Sequence, residues 1–169
     1  MNASKMRRIR ALLAVCGFAV WGAHVTRAEA TREEGRPDSG VRIQLEQLLG
    51  MYERALNASD VQGVVQLYTD DSVLLPQGSP SVVGIKDVKS FYVGTFTAID
   101  LKLKFQIAEV KVLSGDWAFL RTTSTGVIKV LATGSTAPSR NHELFVARKN
   151  AGKWKLARYA FSSTLPAAK

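Results

Sequence analysis

Of the 169 residues one is cysteine, Cys16, and two are histidine. A lone thiol excludes an internal disulfide, and the scarcity of both residue types leaves no cysteine–histidine metal pattern. The sequence also lacks a Gly-rich phosphate loop, a dinucleotide fingerprint and a Ser-His-Asp order. Hydride chemistry therefore has no visible nicotinamide or flavin site, and neither cofactor nor metal is expected. No apolar run reaches the roughly 20 residues of a membrane-spanning helix. Acidic residues are in the minority, 14 against 23 Lys and Arg, for a formal charge of +9. That excess does not mark a nucleic-acid partner. Lys5, Arg7, Arg8, Arg10 and Arg27 sit in the first thirty residues against Glu29 alone, and the remaining basic residues are scattered, with no basic–aromatic recognition motif.

The first thirty residues read as a signal peptide. A basic start precedes the apolar stretch "ALLAVCGFAVWGA" at 11–23, and Ala28-Glu29-Ala30 fits a small-x-small cleavage site. Cleavage after Ala30 predicts an exported product, periplasmic or secreted, from a bacterium, and removes Cys16. Residues 31–40, "TREEGRPDSG", read as a flexible lead-in, and residues 41–166 as one domain.

Val41, Leu45, Leu48, Tyr52 and Leu56 recur at helical spacing and predict a first helix. "NASD" breaks it, with Ser59 or Asp60 placed to cap a second helix whose buried side carries Val61, Val64, Val65 and Tyr68. Asp70-Asp71 reads as the turn closing that helix. Pro76, Gly78 and Pro80 predict a loop with short extended pieces, and Ile85, Val88, Tyr92 and Phe96 share one face of a third helix. The period then becomes two. Leu101, Leu103, Phe105 and Ile107 are odd, Val110 and Val112 even, which predicts a β-bulge near Ala108. Further strands are expected over 117–131, 142–149 and 153–163, with a loop at 132–140. Helices followed by an antiparallel sheet make an α+β fold.

The stretches "YERALNASDVQGVVQLYTDDSVLLPQGSPSVVG", "DWAFLRTTSTG", "HELFVARK" and "GKWKLARYAFSS" resemble the superfamily of nuclear transport factor 2, ketosteroid isomerase and the SnoaL-like polyketide cyclases, and within it the SgcJ/EcaC family oxidoreductase group. The resemblance implies three amino-terminal helices packed on a bent antiparallel sheet, a cystatin-like cone with an internal cavity. In ketosteroid isomerase terms the oxyanion-stabilising tyrosine matches Tyr52, and its supporting tyrosines match Tyr68 and Tyr92. The general-base position holds Leu75, and the second oxyanion-hole carboxyl falls near Phe145. Without that base the isomerase reaction has no group to take an α-proton.

The concave face is expected to carry Phe119, Arg121, Thr123, Glu143, Phe145, Tyr159 and Phe161, closed by Tyr52, Tyr92 and Phe96 from helices and by Leu75 and Val82 from the loop. Glu143 and Arg121 read either as acid/base and anion clamp or as an inert ion pair. The tyrosines read either as a donor chain or as core phenols bonded to one another. Leu120, Leu144 and Val146 are expected on an apolar outer face that a second copy would cover. Three functions remain open. They are an exported binder of a small hydrophobic or mixed-polarity ligand, a cofactor-independent isomerase, cyclase, dehydratase or hydrolase using Glu143, Tyr52 and Arg121, and a dimeric assembly module.

Overall fold

The first helix, α1 (Asp38–Asn57), buries Leu45, Leu48, Leu49, Tyr52 and Leu56. Their spacing of three and four residues makes one apolar stripe. The computed structural model describes residues 38–166; the expected signal peptide and most of the expected lead-in lie outside the described residues. The helix starts three residues ahead of the expected Val41, so Asp38, Ser39 and Gly40 belong to it rather than to the lead-in. After Asn57 the chain turns through Ser59, whose φ of 53° is left-handed. Asp60 then caps the short α2 (Val61–Val65), its Oδ1 accepting from Gly63 N at 2.8 Å.

The chain enters β1 (Tyr68–Leu75) at once, where the sequence suggested helix, turn and loop. Tyr68 and Leu74 are buried, while Asp70 and Asp71 face solvent where the register with the neighbouring strand slips. Asp71 is no turn residue. Its carboxylate takes a two-pronged contact from Arg148, 2.7 and 3.0 Å, and the Thr69 hydroxyl followed by Arg148 holds it below the usual carboxylate range. The two-residue β2 (Val82–Val83) pairs back on β1, and Gly84, at φ 84°, leads into α3 (Ile85–Ala98), which buries Val88 and Tyr92.

Four long strands follow: β3 (Ile99–Val112), β4 (Trp117–Val130), β5 (Thr136–Asn150) and β6 (Lys153–Ser163). The sheet order is β2-β1-β6-β5-β4-β3, and β1 runs parallel to β6. The sheet is therefore mixed and open, a correction to the purely antiparallel expectation. Strand β5 starts at Thr136, inside the expected loop. Its first residues pair with β4 but reach past the end of β6, so Pro138 has no ladder bond to forfeit on that side.

The bulge lies where the hydrophobic phase slips, between Ile107 and Glu109. It keeps Phe105 and Val110 on the same, helix-facing side. The free edge of β3 is covered from α1. Asn57 accepts from Leu103 N and donates to Leu103 O, both at 2.7 Å, and Glu53 accepts from Phe105 N at 2.9 Å. Polar side chains thus satisfy backbone groups that would otherwise template another strand. Gly126 lies opposite Leu103, and a Cβ there would fall 1.9 Å from Lys102 O, so only glycine fits.

Register also corrects the phase of β4. Antiparallel partners share a face. Leu120 stands opposite Phe145, and Thr122 opposite Glu143. Leu120 is 1 % exposed and Thr122 equally buried, so neither is on the outer face. Phe119, Arg121 and Thr123 point away from the helices instead.

Candidate functional site

The chain has four tyrosines, and all four converge. Tyr52 comes from α1, Tyr68 from β1, Tyr92 from α3 and Tyr159 from β6. The Tyr92 hydroxyl sits between those of Tyr52 and Tyr68, at 2.8 and 2.9 Å. Tyr159 stacks on Phe145 at 4.2 Å between ring centroids, and Tyr52 meets both rings edge-on. Burial pushes every phenol above its ordinary range. Tyr92 rises to about 12, and Tyr52, Tyr68 and Tyr159 rise well above 10. All four stay neutral donors at physiological pH. Three hydroxyls carry three protons, and two bonds among them consume two. A chain of phenols therefore always has one O–H left to give.

A cavity of about 210 Å³ adjoins this cluster. Tyr52, Tyr92 and Tyr159 line it, with Phe91 and Phe161 adding aromatic surface. Leu56, Leu101, Leu103 and Ile128 supply aliphatic wall, and Thr95, Ser139 and Asn141 the remaining polar groups. None of the described lining residues is Asp, Glu, His, Lys or Arg. Among the described residues no cluster of three His, Cys, Asp or Glu could hold a metal ion.

Glu143 is 3 % exposed on the same inner face but does not line the cavity. Thr122 Oγ1 donates to its Oε2 at 2.6 Å, and Oε1 is buried without a partner. Burial raises its pKa above the ordinary 4.5, opposed by the Ser124 and Thr122 hydroxyls and then His142. Arg121 does not meet it. The guanidinium lies across the sheet, 3.1 Å from Glu109, both groups well exposed. The suggested Arg121–Glu143 pair does not form, because a one-residue phase error moves a side chain to the opposite face.

Of the residues expected around the cavity, Tyr52, Tyr92, Tyr159 and Phe161 line it. Phe96 packs on Tyr92 at 5.6 Å, and Phe145 lies fully buried behind Tyr159. Val82 pairs with Leu74 and is partly buried. Leu75 is 43 % exposed, so the side chain at the general-base position does not reach the cavity. Phe119, Thr123 and Arg121 face outward. Ser139 falls inside the expected loop at 132–140, whose Thr, Gly, Ser and Pro content hides the polar wall, and Asn141 falls just after it, ahead of the strand expected from His142. Pairing with Gly126 and Ser124 makes both of them strand.

The SnoaL-like domain profile matches residues 48–157, more than half of the chain. The chain belongs to the SnoaL-like family. This SnoaL-like chain is similar to a ketosteroid isomerase-like protein from Erwinia carotovora atroseptica SCRI1043, with 36% identity over 73% of this chain and 96% of that one, at a TM-score of 0.70. A nuclear transport factor 2-like protein of Shewanella oneidensis MR-1 shares 22% identity over 72% and 98% of the two chains, TM-score 0.57. A type 2 hexachlorocyclohexane dehydrochlorinase shares the fold at 8% identity, covering 75% and 86%, TM-score 0.67. No curated protein matches the chain significantly.

Proposed function

We propose that this SnoaL-like chain is an exported small-molecule-binding protein, of the SgcJ/EcaC type within its family, that holds its ligand in the cavity between α1, α3 and the sheet. The composition of that cavity carries the reading. Aromatic and aliphatic walls favour a ring or hydrocarbon body, the phenols of Tyr52, Tyr92 and Tyr159 in the lining can offer an O–H to a ligand acceptor, and no described lining side chain ionises near neutral pH to act as base. Native mass spectrometry of gently purified protein tests this. A stoichiometric added mass, released as a small organic molecule on denaturation, is expected. Bare protein that also takes up no apolar ring compound at millimolar concentration contradicts it.

One observation favours a second reading. Glu143 is buried, its pKa is raised and Oε1 is unpartnered, which are the properties of a general acid or base one layer from the ligand. A cofactor-independent isomerase, cyclase, dehydratase or hydrolase would use it with Tyr52 as donor, without Arg121. Export rests on the leader-like first thirty residues. Self-association would use an outer face made by Leu144, 43 % exposed, with Val146, Phe119 and Leu75, in place of Leu120. Leu144→Lys should then lower the dimer fraction in analytical ultracentrifugation; an unchanged sedimentation profile sinks that interface.

A further inference from the structure

The polar wall of the cavity has a direction. Asn141 Nδ2 donates to Ser124 Oγ at 3.1 Å and to Ser139 Oγ at 3.2 Å, so both amide hydrogens are committed. Ser124 Oγ, accepting there, still holds its own proton. Beside it stands Glu143, whose Oε2 already accepts from Thr122 while Oε1 accepts from no described residue. Ser124 stands two residues beyond Thr122 on the same buried face of β4, diagonal to Glu143 on β5, and its hydroxyl favours the carboxylate. A spare proton and an open acceptor thus match, and a relay through these groups would run in one sense, from Asn141 through Ser124 to Glu143. Its outcome is at the other end of the amide. Asn141 Oδ1 accepts no hydrogen bond from any described residue, and Asn141 lines the cavity beside Tyr159 and Phe161.

We infer that Asn141 is a specificity-determining residue. It presents Oδ1 to the cavity and selects one- or two-ring ligands that carry an O–H or N–H donor, while Glu143, acting through Ser124, is a positioning residue that fixes which end of the amide faces the ligand. The size class follows from about 210 Å³ of space, below the roughly 300–1,000 Å³ of sites for drug-sized ligands. The inference rests on the reading of this cavity as a ligand site.

The test compares 2-naphthol with 2-methoxynaphthalene, which keeps the rings and loses the donor, by fluorescence titration of the purified protein. The natural protein should bind 2-naphthol roughly fivefold to tenfold more tightly. Asn141→Leu should bring that ratio to about one. Glu143→Gln is the sharper variant. With its carbonyl on Thr122, the glutamine amide donates to Ser124, the relay reverses, and Asn141 turns its NH₂ to the cavity. The ratio should then fall to one or below, whereas a merely structural role would weaken both ligands alike. Equal binding by the natural protein, or an unchanged ratio in Glu143→Gln, overturns the proposal and leaves the cavity a binding site. If neither naphthalene binds, the cavity reading falls and the proposal falls with it.

Discussion

Removing one oxygen from Tyr92 should cost more than removing the corresponding oxygen from Tyr68. Tyr92 is the middle of the chain, bonded to Tyr52 at 2.8 Å and Tyr68 at 2.9 Å. Tyr92→Phe deletes both bonds and strands two hydroxyls on residues that are each 1 % exposed. A buried polar group left without its partner costs about 1–3 kcal/mol. Two such groups, partly relieved by local relaxation, give about 2–4 kcal/mol. Tyr68→Phe removes an end of the chain, and Tyr92 keeps Tyr52 as partner, so about 1 kcal/mol is expected. For a domain of this size each kcal/mol lowers Tm by about 3–5 °C. Tyr92→Phe should therefore melt about 6–20 °C lower, and Tyr68→Phe about 3–5 °C lower. Urea unfolding should give the same order with an unchanged m-value. A Tyr92→Phe protein as stable as Tyr68→Phe would refute the assignment of Tyr92 as the shared partner.

Three other outcomes follow from particular contacts. Asn57→Ala removes both 2.7 Å bonds to Leu103 and should destabilise by about 2 kcal/mol, with faster hydrogen exchange at the Leu103 amide. Gly126→Ala sets a methyl against the Lys102 carbonyl and should cost about 3 kcal/mol or more in chemical denaturation. Glu143 binds its proton more tightly folded than unfolded, so its contribution is fully present below the ordinary pKa of 4.5 and is lost as pH rises through the folded value. The stability difference between Glu143→Gln and the natural protein should accordingly change sign-consistently across that window, the variant gaining as pH rises. A pH-independent difference would mean that the carboxyl is not desolvated.

How much of this was legible before the fold was known depends on the range of the interactions involved. The stripe of α1 is local, and its period alone revealed it. The bulge at Ala108 showed itself the same way, because a phase slip is written in one strand. Strand β4 was different. In Phe119-Leu120-Arg121-Thr122-Thr123-Ser124 both parities carry apolar or small residues, so no alternation selects a face. The choice is made by pairing with β5, twenty residues on. That one step misplaced Arg121, Phe119, Thr123 and Leu120 together and hid Thr122 and Ser124 beneath Glu143. The parallel pairing of β1 with β6 joins residues more than eighty apart, and "YTDDSVLL" alone does not announce it. Periodicity put Tyr52 and Tyr92 on buried helix faces and Tyr159 on the inner face of its strand, and the resemblance joined Tyr52, Tyr68 and Tyr92, but the hydroxyl connectivity belongs to the assembled core.

Because all four tyrosines lie at the cavity or its hydroxyl chain, labelling tyrosine alone reports on the site alone. The decisive measurement is a 2-naphthol titration followed by NMR of ¹³C-labelled tyrosine rings. Saturable shifts at Tyr52, Tyr92 and Tyr159, abolished by a bulky Ile128→Trp substitution in the cavity wall, are the result expected of a ligand site there. Saturable binding by fluorescence with none of these tyrosine signals moving would contradict it and place the ligand elsewhere on the protein.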